Sequence, residues 1–253
     1  TFETVEPEVG FLHAYSNNVV EFRPTENGNF SVWEFPDAEA VYVIGSDVAE
    51  GLQHGDYSSA HIINATYGYV VAHWHGHVEP DIFGEMLAQM GWWYNTALLG
   101  IESNNHGLTT LKAAQNLGYR NLYKQRRLSK VTPQATDTLG WRTTVSSKPL
   151  AIDELAGALR TSSLEVYCDK TVAELKTFVR KANGKMAGSP YDDRTISLAI
   201  ANQMLKYVWL PEYRGNSVVP KNSLLWWEKH LMSNQSSNKV PIGAHNVRDG
   251  ALR

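Results

Sequence analysis

The run Ala40-Val41-Tyr42-Val43-Ile44-Gly45, closed by Ser46 and Asp47, constrains this chain more than any other stretch. It is continuously apolar and rich in β-branched residues, as a strand covered on both faces is. A strand of that kind requires a layer above and a layer below, so the chain must build a sheet inside a cover. The run nevertheless ends on a carboxylate, Asp47. A polar, glycine-bearing turn with a second acid, Asp56, follows it. "SSAHIINA" (Ser58–Ala65) and "YGYVVAHWH" (Tyr67–His75) then read as two more strands joined by a short turn near Ala65–Thr66. Together the three make a meander.

Helical periodicity begins after the meander. In "EPDIFGEMLAQMGWWYN", Pro80 suits a first turn, and Ile82, Phe83, Met86, Leu87 and Met90 fall on one helical face. "ALLGIES" (Ala97–Ser103) is the next buried strand. "HGLTTLKAAQNLGY" is a second helix with Leu108, Leu111 and Leu117 inward, and "NLYKQ" is a further strand. This alternation predicts an α/β fold, a mixed sheet flanked by helices. Arg126 to Pro149 reads as a polar, basic hairpin on the sheet's rim. Short helices are expected at Ile152–Arg160 and Thr171–Lys181, the latter with Val172, Leu175 and Val179 inward. A longer helix is expected from about Asp192 to Tyr207, with Ile196, Ile200, Met204, Tyr207 and Val208 inward. Residues 1–28 read as an irregular lead-in. "NFSVWEF" (Asn29–Phe35) reads as an edge strand. Residues 211–253 read as an Asn/Ser-rich tail with one amphipathic helix, "SLLWWEKHLM". No internal repeat is present.

Composition narrows the function classes. The chain has 253 residues, 43% hydrophobic and 19% charged, with a net charge of −3. That balance does not single out a nucleic-acid binder, although a local basic face is compatible with it. One cysteine, Cys168, excludes an internal disulfide framework and fits a reducing compartment. No apolar stretch reaches bilayer-spanning length and no signal peptide is evident, so neither a membrane nor a secreted compartment is expected.

Three acidic positions share an unusual placement. Asp47 closes the first central strand, Glu102 closes "ALLGIES", and Asp192–Asp193 open the last long helix. In open α/β sheets, strand C-termini and helix N-termini gather along one edge, where sites form. Each acid alone reads as a turn former or a cap, and Asp192–Asp193 suit an N-cap pair. Asp, Glu and Asp in that order, each at such a terminus, point instead to convergence. Clustered carboxylates repel unless a cation neutralises them. Hard oxygen ligands suit Mg²⁺ or Mn²⁺, and two such ions about 4 Å apart can clamp a phosphodiester.

Three words sharpen the reading: "VWEFPDAEAVYVIGSDVAEGLQHGDYSSAHII", "GIESNNHG" and "YDDRTISLAIA". Together they resemble the C-terminal nuclease domain of the large terminase subunit of tailed bacteriophages, a ribonuclease H-like nuclease of the RuvC-like kind. The resemblance covers roughly Asn29 to Tyr207. It implies that Asp47, Glu102 and Asp193 are catalytic metal ligands, with Asp192 as a neighbouring acid that either assists at the metal or merely caps the helix, and Asp56 near a second metal. Many relatives carry His before the acidic pair, where this chain has Tyr191. Residues 29–210 would be the nuclease domain. Residues 1–28 would connect it to an ATPase motor missing from this chain, since no G-x-x-x-x-G-K-[ST] motif occurs and "NGKMAGS" has the wrong spacing. The implied activity is metal-dependent cutting of concatemeric viral DNA during packaging, with two Mg²⁺ or Mn²⁺ ions. The implied partners are double-stranded DNA, the ATPase domain, the portal protein and the small terminase subunit. The implied location is host cytoplasm and, transiently, the procapsid portal. A Holliday-junction resolvase or transposase-type nuclease of the same fold would use the same acids. A non-catalytic DNA-binding or portal-docking module is the reading from another class. An actin-like ATPase would need a second Asp-x-Gly phosphate loop and a Gly-rich adenosine site, and neither is found.

A DNA-binding rim needs cations near the acids. Lys124, Arg126, Arg127, Lys130 and Arg142 supply them, within a segment from Lys112 to Lys148 that holds only Asp137 against its cations. A solvated basic loop is the plainer account of such a segment. His73, His75 and His77 alternate in "HWHGH" and raise the question of zinc, but no Cys or carboxylate stands at a supporting spacing. Trp92–Trp93 and Trp226–Trp227 suit core packing and tail docking better than base stacking.

Overall fold

The computed structural model describes residues 5–16, 18–52, 55–104, 106–128, 135–180, 186–188 and 190–210. Strands β1 (Glu8–Ser16), β2 (Val19–Pro24), β3 (Phe30–Val32), β4 (Tyr42–Asp47), β5 (Ser58–Asn64), β6 (Tyr69–Gly76) and β7 (Leu98–Ile101) form one sheet. Its order is β2-β1-β3-β6-β5-β4-β7. All neighbours pair antiparallel except β4 and β7, which are parallel. This is the expected mixed sheet, with β4, β5 and β6 as the meander.

Helices α1 (Pro80–Trp93) and α2 (Gly107–Asn116) cover one face. Helices α3 (Ser147–Arg160), α4 (Asp169–Thr177) and α5 (Asp193–Met204) cover the other. Because strand side chains alternate, β4 sends Tyr42 and Ile44 into the α1 core and Val43 into the α5 core. β5 is buried along its whole length. α5 crosses the sheet at closest range. A Cβ on Gly45 would lie 2.0 Å from the Ala201 backbone nitrogen, and one on its register partner Gly100 would lie 2.5 Å from Met204 Sδ. Gly45 lets the helix backbone rest directly on β4, and Gly100 makes room for the Met204 side chain over β7.

Several local expectations are corrected. Much of the supposed lead-in, Glu8–Pro24, is the β1–β2 hairpin of the main sheet, anchored where Phe22 stacks on Trp93 at 5.8 Å. β3 is therefore internal, and β2 holds the edge. Ile82, Leu108, Val179 and Tyr207 are exposed rather than inward. Trp92 meets Tyr119 edge-on, so the first tryptophan pair packs in the core. The tail 211–253, with Trp226–Trp227, lies outside the described residues.

A hairpin of β8 (Lys124–Leu128) and β9 (Ala135–Leu139) forms its own small sheet. The chain pairs with β7 immediately before it, Tyr123 N–H donating to Leu99 O at 2.9 Å, and immediately after it, Trp141 N–H donating to Ile101 O at 2.7 Å. The hairpin thus grows from the β7 edge, next to Glu102.

Candidate active site

β4 delivers Asp47. Lying two residues beyond Gly45, Asp47 shares its face and points toward the start of α5. β7 delivers Glu102 to the same end of the sheet, because the strands run parallel. Glu102 N–H donates to Ser46 O at 3.0 Å, which fixes its height beside Asp47. Asn104 orients the Glu102 side chain: its Nδ2 donates to Glu102 Oε1 at 3.1 Å and to Thr143 O at 2.9 Å.

The two carboxyls lie within hydrogen-bonding reach of each other. Burial, then the charge and hydrogen bond of Glu102, then the charges of Asp193 and Asp192, push the Asp47 carboxyl well above the usual range. As a residue Asp47 keeps partial solvent exposure, but its carboxyl group is densely surrounded.

Asp193, 5% exposed, is the first residue of α5. Its Oδ2 accepts the Tyr57 backbone N–H at 3.4 Å. Burial, with the charges of Glu174, Asp56 and Asp192 adding to it and the Tyr57 N–H opposing, pushes its carboxyl up to about 7. Asp56 is exposed in the loop before β5 and acts on Asp193 through its charge.

Asp192 does something different. It occupies the N-cap position of α5 but makes no side-chain cap hydrogen bond. Its Oδ2 instead accepts from Lys148 Nζ at 2.9 Å. The cap comes from α4, where Glu174 Oε1 accepts the Thr195 backbone N–H at 2.7 Å and Oε2 lies 3.5 Å from Arg194 Nη1. Sequence periodicity carries no trace of Glu174, because the cap belongs to another helix.

Among the described residues, no three His, Cys, Asp or Glu side chains stand close enough together to hold a metal ion. The site is a pair, Asp47 with Glu102, and a nearby third acid, Asp193, coupled to it by charge. The donor set is all hard oxygen, and every leading influence on Asp47 disfavours its anion. Both properties fit a site built to receive a hard divalent cation. The histidine row is no metal cluster. His73 is buried with its Nε2 3.2 Å from Ser59 Oγ, while His75 and His77 flank the Tyr57 ring at 4.5 and 4.0 Å. Tyr191 meets that ring edge-on.

Of the expected DNA-binding residues, Lys124 at the start of β8 and Arg142 just beyond the hairpin are exposed. Arg126 and Arg127 lie in β8, with side chains outside the description, and Lys130 is outside the described residues. Trp141 is buried and paired with Glu102, not displayed on the rim.

Solved structures supply the comparison. The large terminase nuclease of the thermophilic phage G20c with bound magnesium matches with a TM-score of 0.56 at 17% identity, over 79% of this chain and 92% of that one. The same nuclease with bound cobalt matches with a TM-score of 0.55 at 19% identity, over 79% and 92%. The large terminase nuclease domain of Thermus phage P74-26 matches with a TM-score of 0.53 at 21% identity, over 76% and 92%. The fold is that of a large terminase nuclease domain. No protein-family model and no curated protein matches the sequence. No helix among the described residues is long and apolar enough to cross a membrane.

Proposed function

We propose that this chain is a divalent-metal-dependent DNA endonuclease that cuts concatemeric viral DNA during genome packaging. The observation that carries the reading is the Asp47–Glu102 carboxyl pair at two parallel strand ends, faced by Asp193 at the start of α5, on this fold.

Asp47 and Glu102 would hold one Mg²⁺ or Mn²⁺, and Asp193 with Asp47 a second. When bound, such ions supply an activated water and neutralise charge at the leaving oxygen. The chain's own contribution is placement. Asp47 stands on a rigid central strand, Asn104 holds Glu102, and Asp193 is buried in a medium that strengthens its pull on a cation. Lys148 ties Asp192 away from the pair and keeps it as a local counter-charge. The β8–β9 hairpin, with Lys124 at its base and Arg142 close by, stands beside Glu102, where a duplex phosphate backbone would pass. Phosphate contacts of that kind give affinity without sequence choice, which suits a packaging nuclease. The ATPase motor, the portal protein and the small terminase subunit are the partners this role requires.

The test is the chemistry of the product ends. Plasmid incubated with the chain and Mn²⁺ should be nicked and linearised, and EDTA should prevent it. Nicks carrying 5′-phosphate and 3′-hydroxyl ends are resealed by DNA ligase without prior end repair. Cleavage that persists in EDTA, or ends that ligase cannot join, would reject the proposed mechanism.

A further inference from the structure

Beneath Asp193 lies a buried polar network that the proposed chemistry does not use. His61 sits in the middle of β5, fully buried, with Nδ1 2.8 Å from Ser197 Oγ on α5 and Nε2 3.1 Å from Thr171 Oγ1 on α4. Ser197 Oγ also lies 2.9 Å from Ser59 Oγ, and Ser59 Oγ lies 3.2 Å from His73 Nε2. One proton arrangement satisfies the chain of contacts. Thr171 donates to His61 Nε2, and His61 Nδ1–H and the Ser59 hydroxyl donate to Ser197. The Ser197 hydroxyl donates to Arg194 O at 3.1 Å, and His73 Nε2–H donates to Ser59. Both imidazoles are neutral in it. Burial acts in the same direction, holding both well below the usual histidine range.

Aliphatic side chains would fill this space at less cost than two imidazoles and three hydroxyls. The packing of α5 explains what they provide. At Gly45 the helix meets β4 backbone to backbone, with Ser197 O and Ala201 N as the nearest atoms. At that contact no side chain interlocks to set the axial position of the helix, and Met204, seated over Gly100, does so only at its far end. A slide by one residue would carry Asp193 about 1.5 Å, whereas a metal site tolerates about 0.5 Å. Hydrogen bonds are directional, and Ser197 is one helical turn beyond Asp193. Resting on the nuclease reading above, we infer that His61, through Ser197, is a positioning residue that fixes the register of α5 and so places Asp193 for metal binding.

The geometry of the imidazole gives a discriminating test. Asparagine places its polar atoms near the Nδ1 position, and glutamine places them near Nε2. His61→Asn therefore keeps the link to α5, while His61→Gln keeps only the link to α4. We expect Mn²⁺ affinity, measured by titration calorimetry on the folded chain without DNA, to fall about tenfold or more in His61→Gln and in Ser197→Ala. His61→Asn should stay within about threefold of wild type on the same reasoning. Thermal melts in EDTA report folding separately. A merely structural network predicts equal affinities for His61→Asn and His61→Gln, which would overturn the inference, as would wild-type affinity in a folded Ser197→Ala. Wild-type chain that binds no Mn²⁺ sinks the nuclease reading and this inference together. Wild type that binds it, with unaffected variants, sinks the inference alone.

Discussion

Removing one charge at Asp193 should stabilise the metal-free protein at neutral and alkaline pH. The Asp193 carboxyl sits at about 7 in the fold against 3.8 for the free side chain, mainly through burial. Below about pH 3 it is protonated in the folded and unfolded chain alike and shifts nothing. Between pH 4 and 7 the unfolded chain releases the proton and the folded chain retains it, so stability falls as pH rises. Above pH 7 the full cost stands. Three pH units correspond to about 4 kcal/mol as a ceiling, and local relaxation brings the working figure to about 2–4 kcal/mol. Asn at 193 keeps an oxygen to accept the Tyr57 N–H and carries no charge. Asp193→Asn should therefore raise the melting temperature in EDTA at pH 8 by roughly 5–10 °C, at a few degrees per kcal/mol for a chain of this size. The gain should shrink to about a quarter of that at pH 4.5 and vanish below about pH 3. The buried histidines His61 and His73 add an acid-side loss of their own, but it is common to both proteins and cancels in the difference. Millimolar Mn²⁺ should reverse the order by stabilising wild type and not the variant. A variant no more stable than wild type at pH 8, or a gain that persists unchanged at pH 4.5, would refute the reasoning.

Gly45→Ala should cost about 3 kcal/mol in urea unfolding, because the new methyl meets the α5 backbone and not a side chain that can turn away. Glu174→Ala should cost about 2–3 kcal/mol by the same measurement, since it frees the Thr195 N–H and unpairs a largely buried Arg194. Glu174→Gln, which keeps an acceptor, should recover about half of that. Lys124→Ala with Arg142→Ala should weaken duplex binding measured by anisotropy and lower the log–log salt slope by about 2, with no change in the melting temperature.

The acids were legible because each stands at the end of a continuous apolar run or opens a long helix, so local pattern alone places Asp47, Glu102 and Asp193 along one sheet edge. The meander was legible for a related reason: β4 and β5 are buried on both faces and carry the β-branched pairs Val43–Ile44 and Ile62–Ile63 between turn residues. The β1–β2 hairpin was not. Its strands are half exposed, flanked by Pro7 and Pro24, and held by a few contacts such as Phe22 on Trp93, so their composition looks like connecting chain. Leu108 and Ile82 fit helical faces in the sequence but point outward, because the sheet accepts a narrower stripe than periodicity allows. The partners of Asp192 and Thr195 lie 44 and 21 residues away, and His61 reaches Ser197 across 136. Pairings of that range leave no mark on local pattern, so a sequence reading assigns Asp192 to the cap that Glu174 makes and passes over His61 altogether.

The central claim is that Asp47 and Glu102 form the cutting site, and plasmid cleavage by wild type, Asp47→Asn and Glu102→Gln in Mn²⁺, Mg²⁺ and EDTA tests it most directly. The account predicts metal-dependent cutting by wild type and at least a hundredfold loss in each variant, with melting temperatures in EDTA no lower than wild type. Variants that cut as fast as wild type would contradict it.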